Sequence, residues 1–352
     1  MPVLQRYTRK DYEENYASGY WTADHLLGAL NTYAKTAPDK LAVVDGDCRL
    51  TRSDLCELVA RATGLLRENG VRSGDIVAVQ LPNSAHIVIL ILALLKIGAI
   101  YHPINASYRQ ADITKIITVS RPKFYIYTRV FRSFIYGPLV EDLRRTVIPF
   151  ISLQIDVDRP VADVFPASDR GDEPVAAPDP DALCLIGATS GSTGDPKLFM
   201  HTQNTQFNEA RWLNREMGLG ERDVFLAFAP ITHRGVFMWG FVQSVAAGAT
   251  LVIERTYDPL AIMTSIDRER VTTLFAIPSQ VVELLDCCER GAARGSSLRV
   301  LMMAGAPVQP ELVLRISSRP AISVTRAQRM PPMTATAGSI PATLATSTKT
   351  GT

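Results

Sequence analysis

Between Thr189 and Lys197 the chain gathers four hydroxyl side chains (Thr189, Ser190, Ser192, Thr193), two glycines (Gly191, Gly194) and a lysine. Glycines let the backbone turn through positive φ and bring N–H groups close to a ligand, and hydroxyls add donors. Lys197 adds a positive charge within reach of the same atoms. This is equipment for holding an anion, and a polyphosphate is the natural guest. A Walker A loop would need Gly-Lys-Ser/Thr at its end, whereas Pro196 precedes the lysine here and Leu198 follows it, so that motif is excluded. Taken only as a glycine and serine cluster, the stretch also reads as a solvated turn.

Two further segments carry candidate chemistry. His233 sits in Pro230-Ile231-Thr232-His233-Arg234-Gly235, ahead of an aromatic run that includes Phe237 and Trp239. On its own the histidine reads equally as a helix cap, and the aromatics as plain core. Gly305, Ala306 and Pro307 break a strand that ends near Met303, which as a bare string is an ordinary strand-ending turn. His86 and His102 lie in apolar segments without metal-like neighbours and read as core.

The full string Thr-Ser-Gly-Ser-Thr-Gly-Asp-Pro-Lys from Thr189 to Lys197 resembles the phosphate-binding signature of the adenylate-forming superfamily, which includes acyl-CoA synthetases, aryl-acid ligases, luciferases and adenylation domains. The resemblance implies ATP, Mg²⁺ and CoA as cofactors and a small-molecule carboxylic acid as substrate. Thr189, Ser190, Gly191, Ser192, Thr193, Gly194 and Lys197 would then hold the ATP phosphates. His233 matches the family's histidine beside the acyl pocket and α-phosphate, with Phe237 and Trp239 near the tunnel wall. Gly305, Ala306 and Pro307 match the family's Gly-Gly-Ala-Pro turn against adenine, with Ala304 in place of its first glycine. The amino-acid-activating branch places an aspartate near the histidine to pair an ammonium, and Ala229–Thr232 offers no carboxylate. An apolar or aromatic acid is expected, since an unpaired ammonium would cost roughly 2 kcal/mol or more.

These residues need a scaffold, and the periodicity predicts a parallel α/β one. Leu26, Leu27, Leu30 and Tyr33 recur at helical spacing behind a cap at Thr22, and Leu41–Val44 reads as a strand. Thr51 with Asp54 resembles a capping box for a helix over Leu55–Glu68. A strand at Ile76–Leu81, an apolar helix at Ser84–Gly98 and a strand at Ala99–Pro103 form a parallel unit covered on both faces. A helix at Gln110–Ser120 and a strand at Lys123–Tyr127 repeat it. Beyond the loop come a helix at Asn204–Met217 and strands at Val224–Ala229, Leu251–Ile253, Thr273–Ala276 and Arg299–Met303, with a helix at Gln280–Cys288. The expected division is a first α/β subdomain over 1–165 with the N-terminal segment draped on it, an exposed loop over 166–180, and a second α/β subdomain over 181–318.

At 352 residues one large or two smaller domains are expected. The 47% apolar and 20% charged content is that of a soluble globular protein, and a net charge of +2 points to no nucleic acid. Five cysteines without Cys-x-x-Cys spacing suggest reduced cytosolic thiols, and no apolar run is long enough to span a membrane, so a cytoplasmic enzyme is expected.

The resemblance runs from about Tyr16 to about Leu314. The family's aromatic-Gly-x-Thr-Glu motif, its ribose-binding Thr-Gly-Asp and its C-terminal lysine have no counterpart after that. Residues 319–352, rich in Thr, Ala, Pro and Met, have the composition of a disordered tail. Read out of frame with free third bases, Ala337–Thr352 can encode Trp-Phe-His-Thr-Gly-Asp-Leu-Gly-Tyr, which is similar to the family's ribose segment. The sequence therefore predicts a deletion with a frame change after about Ile316, and an incomplete, inactive form of an acid:CoA ligase.

Overall fold

The computed structural model describes residues 8–167, 179–188, 196–291 and 295–318. Most of the expected loop over 166–180 and all of the expected tail over 319–352 lie outside these residues.

Two six-stranded sheets organise the chain. The first has the order β14-β13-β11-β12-β1-β2, built from β1 (Leu41–Asp45), β2 (Cys48–Thr51), β11 (Val224–Ala227), β12 (Thr250–Ile253), β13 (Thr273–Ala276) and β14 (Val300–Met303). The second has the order β10-β9-β4-β3-β5-β8, built from β3 (Ile76–Gln80), β4 (Ile100–Pro103), β5 (Phe124–Thr128), β8 (Ile151–Ile155), β9 (Leu183–Ala188) and β10 (Leu198–Thr202). A small hairpin, β6 (Val130–Phe131) with β7 (Phe134–Ile135), stands apart. Pairing is parallel except at one edge of each sheet, where β2 and β10 run antiparallel to β1 and β9. The expected units over 1–165 and 181–318 thus exchange strands: β1 pairs with β12, as in Val43 with Leu251, and β4 pairs with β9 at Tyr101 and Leu185.

Helices fill three layers around these sheets. Between the sheets lie α2 (Leu26–Thr36), α3 (Arg52–Glu68), α4 (Ala85–Ile97), α8 (Gln203–Glu216) and α10 (Gln243–Ala247), which share one core with Val77 and Val79 of one sheet and Phe225 and Leu251 of the other. The outer face of the second sheet is covered by α5 (Gln110–Ser120) and α6 (Gly137–Thr146) through Ile113, Ile117 and Leu143. The outer face of the first is covered by α11 (Pro259–Glu269), α12 (Pro278–Glu289) and α13 (Pro310–Ser317) through Ile266, Leu285 and Ile316. Strands sandwiched this way need apolar residues on both faces, which is why they read as continuous apolar runs rather than alternating ones. In α4 every residue but Lys96 is buried; Ser84 caps its start and Gly98, at φ 77°, ends it in the left-handed conformation.

Local rules account for most helix starts. Thr51 and Asp54 form the expected capping box, with Asp54 N donating to Thr51 Oγ1 at 3.1 Å and Thr51 N donating to the Asp54 carboxylate at 2.8 Å. The cap of α2 is His25, not Thr22: its Nδ1 accepts from Gly28 N at 3.1 Å. The N-terminal segment reaches the expected second unit. It forms α1 (Arg9–Ala17), and Tyr16 Oη bonds Asp181 at 3.1 Å and Asn204 at 2.8 Å, beside β9 and α8. The five cysteines are free thiols. Among the described residues no helix is long and apolar enough to cross a membrane.

Candidate functional site

Because β1, β11, β12, β13 and β14 run parallel, all five leave the first sheet by the same edge. The same holds for β3, β4, β5, β8 and β9 in the second. In open α/β sheets the crevice outside the carboxyl ends is where ligands bind, at the point where strand order reverses. Here the chain passes from β11 to β12 on one side and returns to β13 on the other. The reversal therefore lies between the exits of β11 and β13.

His233 follows the exit of β11 into that reversal. Its backbone N–H donates to Pro230 O at 2.8 Å, closing a turn, and its Nδ1 accepts from Gly235 N at 3.2 Å. The helix-cap reading is thus the observed one: His233 caps α9 (Arg234–Val236). With Nδ1 committed as an acceptor, the neutral ring carries its proton on Nε2 and presents a donor there. Partial burial and the neighbouring Arg234 hold the imidazole pKa below its ordinary value. Arg234 is in turn held by Glu209 of α8 at 2.9 Å.

The surroundings explain the glycine and the aromatics. A Cβ on Gly235 would stand 2.8 Å from the Phe275 ring of β13, so a side chain at 235 displaces that ring. Trp239 packs against the same ring with centroids 4.7 Å apart. Phe237 is core instead, stacked at 5.8 Å on Tyr101 of β4. Both aromatics belong to a π-helical stretch, Phe237–Val242, a local widening of the helix often found beside functional sites.

Gly305 follows the exit of β14, on the far side of β13 from His233. It is exposed, with φ 87°, and a Cβ there would meet Ile277 at 3.1 Å. Ala304 is not among the left-handed residues, so a methyl replaces the family's first glycine at no conformational cost. Ala306 and Pro307 are exposed with Gly305.

Thr189, Ser190, Gly191, Ser192, Thr193 and Gly194 lie outside the described residues. Their flanks do not: β9 ends at Ala188, and Leu198 pairs with it as β10 begins, beside the exposed Lys197. The Phe199 ring lies across Gly187, where any side chain would collide with it. One strand inward, His102 Nδ1 donates to Ile186 O at 2.6 Å and ties β9 to β4. Burial holds the pKa of His102, like that of His86, down to about 4, so both are neutral core residues.

This arrangement puts the flanks of a phosphate-type loop, a histidine turn and a left-handed glycine turn at the carboxyl edges of two sheets. A sequence model described as "AMP-binding enzyme" matches residues 30–326. The chain belongs to the AMP-binding enzyme family. Among curated members of that family it is 30% identical over 287 residues to feruloyl-CoA synthase of an Amycolatopsis species, covering 81% of this chain and 55% of that one. It is 27% identical over 318 residues to the salicyl-AMP ligase / salicyl-S-ArCP synthetase of Mycobacterium tuberculosis, covering 85% and 55%. The apo structure of Mycobacterium smegmatis MbtA superposes with a TM-score of 0.78 at 28% identity, over 90% of this chain and 59% of that one. The chain spans about half the length of the curated relatives it matches. The family match extends past Leu314, where the motif-based resemblance ends.

Sequence reasoning missed three polar residues near these turns: Glu209, Asn83 and Asp45. Each is held by partners distant in sequence, Glu209 by Arg234, Asn83 by backbone groups of residues 229, 231 and 254, and Asp45 by Ala85 N and Arg255, and in the sequence each looks like an ordinary surface or turn position.

Proposed function

We propose that the chain supplies the nucleotide- and acid-binding part of an enzyme that activates a carboxylic acid with ATP and passes it to coenzyme A. The acid's carboxylate attacks the α-phosphorus, pyrophosphate leaves, and the thiol of coenzyme A then takes the acyl group as AMP departs. In this reading Lys197 and the hydroxyl loop from Thr189 to Gly194 neutralise charge on the phosphates as pyrophosphate leaves. His233 offers its Nε2–H at the acyl and α-phosphate side. Gly305, Ala306 and Pro307 lie open against the adenine ring. Mg²⁺ would supply further neutralisation on the phosphates.

The observation that carries this reading is that β9, β11 and β14 each end, at the carboxyl edge of its sheet, in the segment whose residues have the matching chemistry. The acid is best read as aromatic or fatty. Trp239 and Phe275 pair beside the His233 turn, and Glu209, the carboxylate that α8 brings there, is already neutralised by Arg234.

Acid-dependent exchange of labelled pyrophosphate into ATP tests the reading, using a panel of aromatic, fatty and amino acids. Exchange with an aromatic or fatty acid and not with amino acids would bear the reading out and overturn the expectation that this chain is itself inactive. No exchange with any acid from folded protein that also fails to bind ATP would contradict it. A second reading hands the acyl group to a carrier protein, as the printed name of the Mycobacterium tuberculosis relative indicates for that protein. Comparing coenzyme A with a carrier protein as acceptor separates the two.

A further inference from the structure

Asn83 stands just past the exit of β3 in the second sheet, yet its carboxamide is spent on the first. Nδ2 donates to Ala229 O at 2.9 Å and to Glu254 O at 3.2 Å, beyond the ends of β11 and β12. Oδ1 accepts from Ile231 N at 2.7 Å. The residue is buried, and all three partners are backbone groups more than a hundred positions away in sequence. Ala229 and Ile231 bracket Pro230, whose carbonyl accepts from His233 N. The amide therefore fixes the backbone on which the His233 turn is built. We propose that Asn83 is a positioning residue for His233, setting from the opposite sheet where its ring stands at the carboxyl edge of the first.

A second fastening of the same elements separates positioning from mere cohesion. Asp45, at the end of β1, accepts from Ala85 N of α4 at 3.0 Å and from Arg255 at 3.1 and 3.2 Å. It joins the first sheet to α4 as Asn83 joins it to β3, but has no bond to residues 229–233. Loosening the junction through Asp45 should leave His233 in place, and loosening it through Asn83 should not.

The test is histidine NMR on the whole chain, following the ring signals of all five histidines with pH in the wild type, Asn83→Ala and Asp45→Asn. The groups around His233 are Arg234 on its own turn and Glu209 on α8, and neither is altered. In Asn83→Ala the His233 signal should shift and its midpoint rise from its depressed position toward the ordinary imidazole value, while His25 stays unchanged. In Asp45→Asn the His233 signal should stay where it is. Should Asn83→Ala fail to fold, Asn83→Ser, which keeps a hydroxyl for Ile231, takes its place with the same expectation. An unmoved His233 in a folded Asn83 variant, or an equal shift in Asp45→Asn, overturns the proposal. The inference rests on reading His233 as a site residue. Where wild-type exchange is measurable, kcat should fall about tenfold or more with KM for ATP unchanged. If exchange and ATP binding are both absent, the activity reading fails and the NMR result still decides the positioning.

Discussion

The two ends of the first sheet are built to opposite purposes. At its amino edge, before β11, β13 and β14 begin, lies an open cleft of about 1340 Å³ bordered by Tyr20, Arg211, Trp212, Arg222 and Arg299. Its charged groups are largely occupied with one another. Asp223 accepts from Arg299 at 2.8 Å, from Thr272 Oγ1 at 2.7 Å and from Gly220 N at 2.8 Å, while Glu221 holds the buried Arg52 at 2.8 Å. These bonds fasten the starts of three neighbouring strands. At the carboxyl edge the backbone turns sharply at Gly305, Gly235 admits an aromatic ring, and the Nε2 donor of His233 is not used in closing its turn. This open hollow is thus lined by groups already satisfied by one another. Volume alone is a poor guide to where chemistry sits, and the direction of the strands is a better one.

The contrast can be broken from either end, and the amino edge should give the largest stability effect. Asp223→Ala removes three fastenings and leaves the Thr272 hydroxyl and Gly220 N–H without their acceptor, so urea denaturation should show a loss of about 2–3 kcal/mol, while the folded fraction keeps its affinity for ATP. A fall in ATP affinity matching the stability loss would mean that the two edges are not independent.

Acid should weaken the scaffold through the buried histidines. His86 and His102 titrate near 4 in the folded chain and near 6.5 when unfolded, so between these values the unfolded chain binds more protons. Their contribution is intact above pH 6.5 and drains away as pH falls toward 4, by roughly 3 kcal/mol for each histidine. His102→Asn keeps a donor for Ile186 and should flatten part of this slope when denaturation midpoints are compared at pH 7 and pH 5.

Gly305→Ala should cost about 1–2 kcal/mol, because a side chain is strained at its φ of 87°. It should also weaken nucleotide binding, measured by calorimetry, about tenfold. The smallest effect belongs to Arg222→Ala at the exposed rim of the amino-edge cleft, within about 0.5 kcal/mol in stability and with no change in exchange.

Much of this scaffold was legible from residue patterns, since local physics decides it. The apolar run of α4, the Thr51–Asp54 box and the bounds of β13 and α5 follow from burial and capping. What could not be read is non-local. Nothing in Leu41–Asp45 announces that it pairs with Thr250–Ile253. The edge strands β2 and β10 are half-exposed and mixed in polarity, so they lack both an apolar run and a clean alternation. β8 is largely exposed, and α6 begins after an aromatic stretch that obscures its start. At the candidate site, the segments stand out by their residue types, but Asn83 does not. Pro82-Asn83-Ser84 reads as a turn, and only the second sheet's approach to the first makes its amide a clamp.

Photolabelling with an azido-adenine analogue of ATP, followed by peptide mapping, bears most directly on the central claim that nucleotide binds where the strands end. The account predicts ATP-protectable label on the peptide that carries Gly305, Ala306 and Pro307. Protectable label on peptides carrying Arg222 or Arg299, with none at Gly305, would contradict it.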